Sequence, residues 1–232
     1  MANMIKFMIE NFTHVLPILI SGAIAVLIII ERFVALTYSY PMANFDAFFD
    51  RLRLLIMKDS IQDAIALCDV FRSKPVARVA RVGLMRAHQP QSLIENGLQI
   101  VVAEANEKIQ ARTAFLATIA NVATLFGLFG TIIGLVQSFE AVGNAAAQQR
   151  SALLANGIST AMNATMLGLG VAIPSMIAYA ILMNKAGKVT GQVDQSAIRV
   201  MDLLQQRYFA TEAVATPVEA NEFPQGNLRV QR

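Results

Sequence analysis

Two threonines carry the chemistry that the spacing of this sequence singles out. Thr131, in GLFGTIIG, and Thr165, in NATMLGLG, each lie near the middle of a long uncharged stretch. A hydroxyl placed there can donate one hydrogen bond and accept two, yet it does not titrate near neutral pH. The 27 residues from 113 to 139 and the 34 from 151 to 184 contain no Asp, Glu, Lys, Arg or His. Membrane proteins that handle protons ordinarily keep an ionisable residue in the hydrocarbon region, despite the cost of placing it there. If this chain helps to move protons, the titrating carboxylate must therefore be donated by another polypeptide, with these hydroxyls beside it.

The surrounding residues admit a plainer reading as well. Thr124, Gly127, Thr131, Gly134 and Ser138 recur at steps of three and four, with Gly130 between them; Gly157, Ala161, Thr165, Gly168, Ala172 and Ser175 do the same, with Asn163 and Pro174 nearby. On a helix such spacing makes one face. Small residues let helix backbones approach closely in lipid, and threonine and serine hydroxyls can bond back to the i−4 carbonyl. Helix packing thus accounts for the glycines and alanines, and both packing and an ion path are open for Thr131 and Thr165. Other site chemistry has no support. His14 and His88 are the only histidines, Cys68 has no partner cysteine, and Gly127, Gly130 and Gly134 follow neither phosphate-binding pattern. No catalytic residue, metal site or cofactor is expected.

The elements that must hold these threonines are membrane helices. Hydrophobic residues make up 55% of the 232, charged residues only 15%, and the mean hydropathy is +0.50, values that do not suit a water-soluble domain. About 20 apolar residues cross the roughly 30 Å of hydrocarbon. Three stretches are long enough: the 20 residues between Glu10 and Glu31, and the two already counted. The first is longer than a signal-peptide core and is followed by Glu31-Arg32-Phe33 instead of a small-residue cleavage site, so it reads as a retained anchor.

Orientation follows from the basic residues. Eleven of the 19 lie between 31 and 112 and six from 185 onward, whereas Lys6 stands alone before the first span and Arg150 alone between the second and third. The positive-inside rule then puts the N-terminus outside and the C-terminus in the cytoplasm. Because the charges are interleaved with Asp and Glu along helices, a nucleic-acid surface is not expected.

These features predict an all-α integral membrane protein with this order: 1–40, N-terminal segment and first span; 41–112, cytoplasmic helical domain; 113–140, second span; 141–155, short outer loop; 156–184, third span; 185–212, cytoplasmic helix; 213–232, disordered tail. Within the cytoplasmic domain, Ser60-Ile61-Gln62-Asp63 resembles a capping box, followed by apolar Ile61, Ile65, Leu67 and Cys68. A second helix is predicted from Pro75 to about Ala87, packing through Val76, Val79, Ala80, Val82, Gly83 and Leu84. From Ser92 to Phe139 there is no proline. Leu93, Ile94, Leu98, Val101, Val102, Ala105 and Ile109 keep a helical period, which predicts one helix of about 48 residues, roughly 70 Å long. Val189, Val193, Ile198, Val200, Leu203 and Leu204 predict that the third helix likewise continues beyond the membrane.

The segments LFGLFGTIIGLVQSF and GISTAMNATMLGLGVAIPSMIAY resemble the paired signatures of the MotA/TolQ/ExbB proton-channel family, in particular its ExbB/TolQ branch. The resemblance extends to about Phe209 and includes the order of spans and loops. It implies a homopentamer around a dimer of a single-span ExbD/TolR-like partner whose Asp carries the proton, with a TonB/TolA-like protein as a further partner and lipid around the whole. The inner faces of the second and third helices would line the central cavity. By the same resemblance Thr131 and Thr165 correspond to the family's pore threonines and Pro174 to its AIP element, with Thr124, Gly127, Gly130, Gly134, Ala161 and Gly168 as packing and pore-lining residues. Thr160 stands where many members have a Glu in a GI-x-E pattern, so either this subgroup dispenses with that acid or a paralogous subunit supplies it. The implied function is a subunit of a bacterial inner-membrane complex that uses proton-motive force for outer-membrane-directed transport, envelope maintenance or gliding motility. A passive scaffold that anchors a partner without conducting ions is the alternative.

Overall fold

In lipid each backbone N–H and C=O must find its partner within the segment, so apolar runs of this length fold as helices. The computed structural model describes residues 12–215, and the side-chain surroundings of residues 15–210. Helix α1 spans Phe12–Val34 and passes into a π-helical turn at Ala35–Ser39. It is followed by α2 (Phe45–Met57), α3 (Ile61–Val70), α4 (Pro75–Met85), α5 (Gln91–Gln110), α6 (Thr113–Gly143) and α7 (Arg150–Ala215), with no strand among the described residues.

Three stretches, Val15–Ser39, Gln91–Gly143 and Arg150–Ala210, include windows long and apolar enough to cross a membrane. Their outer surfaces carry exposed Leu27, Leu125, Phe129 and Ile177. Water would not tolerate so continuous an apolar surface, whereas lipid matches it. The chain is a multi-pass membrane protein.

The 66 residues of α7 make one helix about 100 Å long, which acts as the spine of the molecule. Its first half pairs with α6 in an antiparallel hairpin, and α1 lies against both. Its second half is wrapped by α2, α4 and α5, with α3 packed on α2 and α4. There Phe48, Leu52 and Ile56 of α2, Val76 and Val79 of α4 and Leu98 of α5 are buried in one core cluster with Val193 and Val200 of α7. Each such side chain contributes about 1.5–3 kcal/mol on leaving water. Polar contacts fix the register. Gln192 bonds both backbone groups of Met42, Lys185 donates to Thr37 Oγ1 at 2.7 Å, and Arg199 meets Asp46 at 2.9 Å while lying over the rings of Phe45 and Phe49.

Several expectations are corrected. The predicted unbroken helix from Ser92 to Phe139 is two helices, because Ala111 is extended (φ −50°, ψ 143°) and Arg112 is left-handed (φ 63°, ψ −20°). Helix α2 had not been foreseen, although Phe45, Phe48, Phe49, Leu52 and Ile56 form its buried stripe. Ser60 does precede α3, but its hydroxyl makes no capping bond. Leu93 and Ile198 keep the helical period yet are exposed. The connection between α6 and α7 is confined to residues 144–149, and α7 continues past 212 to Ala215. Lys6 and the predicted disorder from 216 onward lie outside the described residues.

Candidate functional site

The two small-residue stripes face each other. A side chain at Gly127 would come within 3.2 Å of Gly168 Cα, one at Gly130 within 2.7 Å of Ala164 Cβ, and one at Gly134 within 3.1 Å of Ala161. Positions rising along α6 meet positions falling along α7, as an antiparallel pair requires. At Gly168 an added Cβ would stand 2.7 Å from the Ala123 carbonyl oxygen and 2.9 Å from Gly127 Cα, backbone atoms that cannot swing aside, so a side chain there would force the helices apart; at Gly127 the backbone neighbours, 3.2 Å and more away, leave only slightly more room. Ala161 and Ala164 are buried in the same seam, as is Ser138, whose hydroxyl donates to the Gly134 carbonyl at 2.5 Å.

Thr131 and Thr165 lie at the edge of this seam, half-buried, and their hydroxyls are hydrogen-bonded to each other. Thr131 Oγ1 is also 3.2 Å from the Gly127 carbonyl and 3.3 Å from the Ala161 carbonyl, while Thr165 Oγ1 is 3.3 Å from the same Gly127 carbonyl. Two hydroxyl protons thus face two carbonyls and each other, an arrangement that can redistribute its hydrogen bonds by rotating two C–O bonds. Among the other candidates, Thr124 is exposed and donates to Ala120 O at 3.0 Å, about two turns of helix before Thr131. Pro174 is exposed and sits inside α7 without kinking it into two helices. Thr160 is half-buried near the start of α7.

The pair opens onto a groove of about 640 Å³ whose wall includes Met162, Met166, Leu169, Gly170, Ile173 and Pro174. Apart from the threonines the side chains in this wall are apolar, and none is ionisable. Pro174 has no N–H to give the carbonyl of Gly170, the i−4 residue, which lies in the same wall. Sequence reasoning passed over Met162, Met166 and Gly170; the proline offset to Gly170 was the signal available. Outside the spans, Cys68 is buried, and that burial together with neighbouring Asp69 pushes its thiol up to about 12. Among the described residues no cluster of His, Cys, Asp and Glu is arranged to hold a metal ion.

Comparison with known proteins agrees with this architecture. The family model described as "MotA/TolQ/ExbB proton channel family" matches residues 71–195, over half of the chain, and the chain belongs to that family. It is 39% identical over 87 residues to the Tol-Pal system protein TolQ of Pseudomonas aeruginosa, which covers 37% of each chain. It is 35% identical over 108 residues to the biopolymer transport protein ExbB of Pseudomonas putida, covering 46% of this chain and 32% of that one. Over 214 residues it is 26% identical to the biopolymer transport protein exbB1 of Vibrio cholerae, covering 91% and 93%. The matches to the TolQ and Pseudomonas putida ExbB proteins thus span less than half the length of those relatives.

Proposed function

We propose that this chain is the proton-path subunit of an ExbB/TolQ-type motor in a bacterial inner membrane. Five copies enclose a dimer of a single-span ExbD/TolR-like protein, and the Thr131/Thr165 groove faces an Asp on that partner. A TonB/TolA-like protein carries the output toward the outer membrane, in transport, envelope maintenance or gliding. The N-terminus lies in the periplasm, and the helical layer of α2 to α5 with the second half of α7 lies in the cytoplasm.

The observation that carries this reading is a pair of bonded hydroxyls opening on an otherwise apolar groove, in spans without a carboxylate. When the partner's acid is protonated, both threonines can spend their protons on the Gly127 and Ala161 carbonyls and offer lone pairs to the acid. When it is ionised, a hydroxyl can turn and donate to the carboxylate. Donation to the charged form offsets part of its desolvation, which keeps the acid able to titrate within a low-dielectric setting. The chain itself neither gains nor loses a proton in this cycle.

Proton flux into proteoliposomes holding the purified complex tests the assignment. Thr165→Val, which keeps the shape but loses the hydroxyl, should abolish flux while the complex stays assembled by mass, and Thr165→Ser should retain it. Wild-type flux in Thr165→Val would remove the threonine mechanism. The scaffold alternative draws on one observation, that all these hydroxyls can be satisfied by carbonyls within the chain, and it requires that the wild-type complex show no flux at all.

A further inference from the structure

The break between α5 and α6 falls where no proline or glycine demands one. Within Gln91–Gly143 it is the only interruption, and a non-glycine residue, Arg112, takes the left-handed conformation that L side chains avoid. In an unbroken helix the carbonyl of Lys108 would accept the N–H of Arg112. Here the last regular bond is Ala111 N–H to Glu107 O at 2.8 Å, and the Lys108 carbonyl instead accepts from Arg32 Nη1 of α1 at 3.2 Å.

Arg32 is only 4% exposed. Its Nη2 is 3.5 Å from Glu31 Oε1, the oxygen that also accepts from Arg112 Nη1 at 2.8 Å, and its Nε has no partner among the described residues. If the helix straightened, the Arg112 N–H and Arg32 Nη1 would share the Lys108 oxygen, and the Arg112 side chain would be redirected away from Glu31. A carbonyl can accept two bonds, but a buried guanidinium that already lacks one partner would then be left with a shared acceptor in place of one it holds alone, a weaker arrangement for a charged group inside a protein.

We propose that Arg32 is a positioning residue. It takes the acceptor that a continuous helix would use, and so holds the α5–α6 joint in the broken one of two arrangements, with Glu31 and Arg112 as the latch. The joint lies between the helix that carries Thr131, about five turns further along α6, and the layer formed by α2 to α5. Taken with the proton-path reading, on which this last step rests, movement of α6 at the threonines would reach that layer through a bond swap at Lys108 in place of rigid transmission along one rod.

The conformation of Ala111 is the direct readout. In the full complex in lipid, made with 13C-labelled alanine, the Ala111 Cα resonance is assigned by its disappearance in Ala111→Gly. The wild type should show the extended-chain position, and Arg32→Leu should move it to the helical one. Arg112→Gly, which relieves the left-handed residue without removing Arg32, should leave Ala111 extended. If Arg32→Leu does not assemble, Arg32→Gln serves in its place. An Ala111 resonance that stays extended in whichever of these two variants assembles would overturn the proposal. Flux measured on the same samples separates the two readings: a shifted Ala111 resonance together with undiminished flux in Thr165→Val would leave the joint standing and remove the proton path.

Discussion

The hydroxyls of Thr131 and Thr165 meet across the α6–α7 crossing and share the carbonyl of Gly127, the residue whose missing side chain lets the two helices touch. Packing and polarity are therefore built from the same few residues. A side chain at Gly127 would separate the helices and, with them, the two hydroxyls.

Gly127→Val should accordingly destabilise the α6–α7 hairpin, because its Cβ would be 3.2 Å from Gly168 Cα and 3.3 Å from Thr165 Cα. Overpacking of this kind costs about 1–3 kcal/mol. Gly187→Ala is the control: nothing lies within 4 Å of its added Cβ, and replacing a mid-helix glycine gains about 0.5–1 kcal/mol. Thermal unfolding in detergent should move down for the first variant and slightly up for the second.

Cys68 should be nearly inert in the folded protein. Its thiol is pushed up from 9.0 to about 12, chiefly by burial, so at pH 8 iodoacetamide should alkylate it slowly in the native state and readily in denaturant. A folded-state pKa above the unfolded one means stability that is fully present below pH 9 and is lost as pH rises toward about 12. Cys68→Ala should flatten that alkaline decline, which denaturant titration between pH 8 and 11 would measure.

Arg199 ties the far half of α7 to α2 through Asp46 at 2.9 Å and the faces of Phe45 and Phe49 at 4.8 and 5.4 Å. The ion pair is exposed and worth little, whereas the ring contacts add about 0.5–1 kcal/mol. Arg199→Ala should lower stability by about 1 kcal/mol, with most of the loss persisting in 1 M salt. A loss that vanished in salt would assign it to Asp46 alone.

How much of this was legible in the sequence depended on the range of the interaction that decides each element. The stripes through Gly127 and Gly168 are set by local periodicity, and so is the continuation of α7 past Lys185, where Val189, Val193 and Val200 keep step; both could be read directly. Helix α2 was also written locally, in Phe45, Phe48, Phe49, Leu52 and Ile56 behind Asn44, a favoured N-cap residue type, although the Asn44 side chain makes no capping bond in the structure; that signal went unused and the helix was missed. The break at Ala111 and Arg112 could not be read, because the groups that hold it, Glu31 and Arg32, are about 80 residues away in the chain. The hydroxyl contact of Thr131 with Thr165 was foreshadowed only as two faces; the antiparallel register that aligns them came from which glycines meet which alanines.

The site also predicts a difference between its two hydroxyls. Thr131 reaches three acceptors and Thr165 two, and Thr131 alone reaches the Ala161 carbonyl. Thr131→Ala should therefore lower hairpin stability by about 1 kcal/mol more than Thr124→Ala, whose hydroxyl bonds back to Ala120 on its own helix. Paired unfolding curves would check this.

The most direct measurement is the position of the carboxyl of the proposed single-span partner in a solved assembly that contains this chain. The proposed mechanism places an Asp oxygen within hydrogen-bonding reach of Thr131 or Thr165, inside the groove walled by Met162, Met166 and Pro174. A structure in which that groove faces lipid, with no acidic side chain near either hydroxyl, would contradict it.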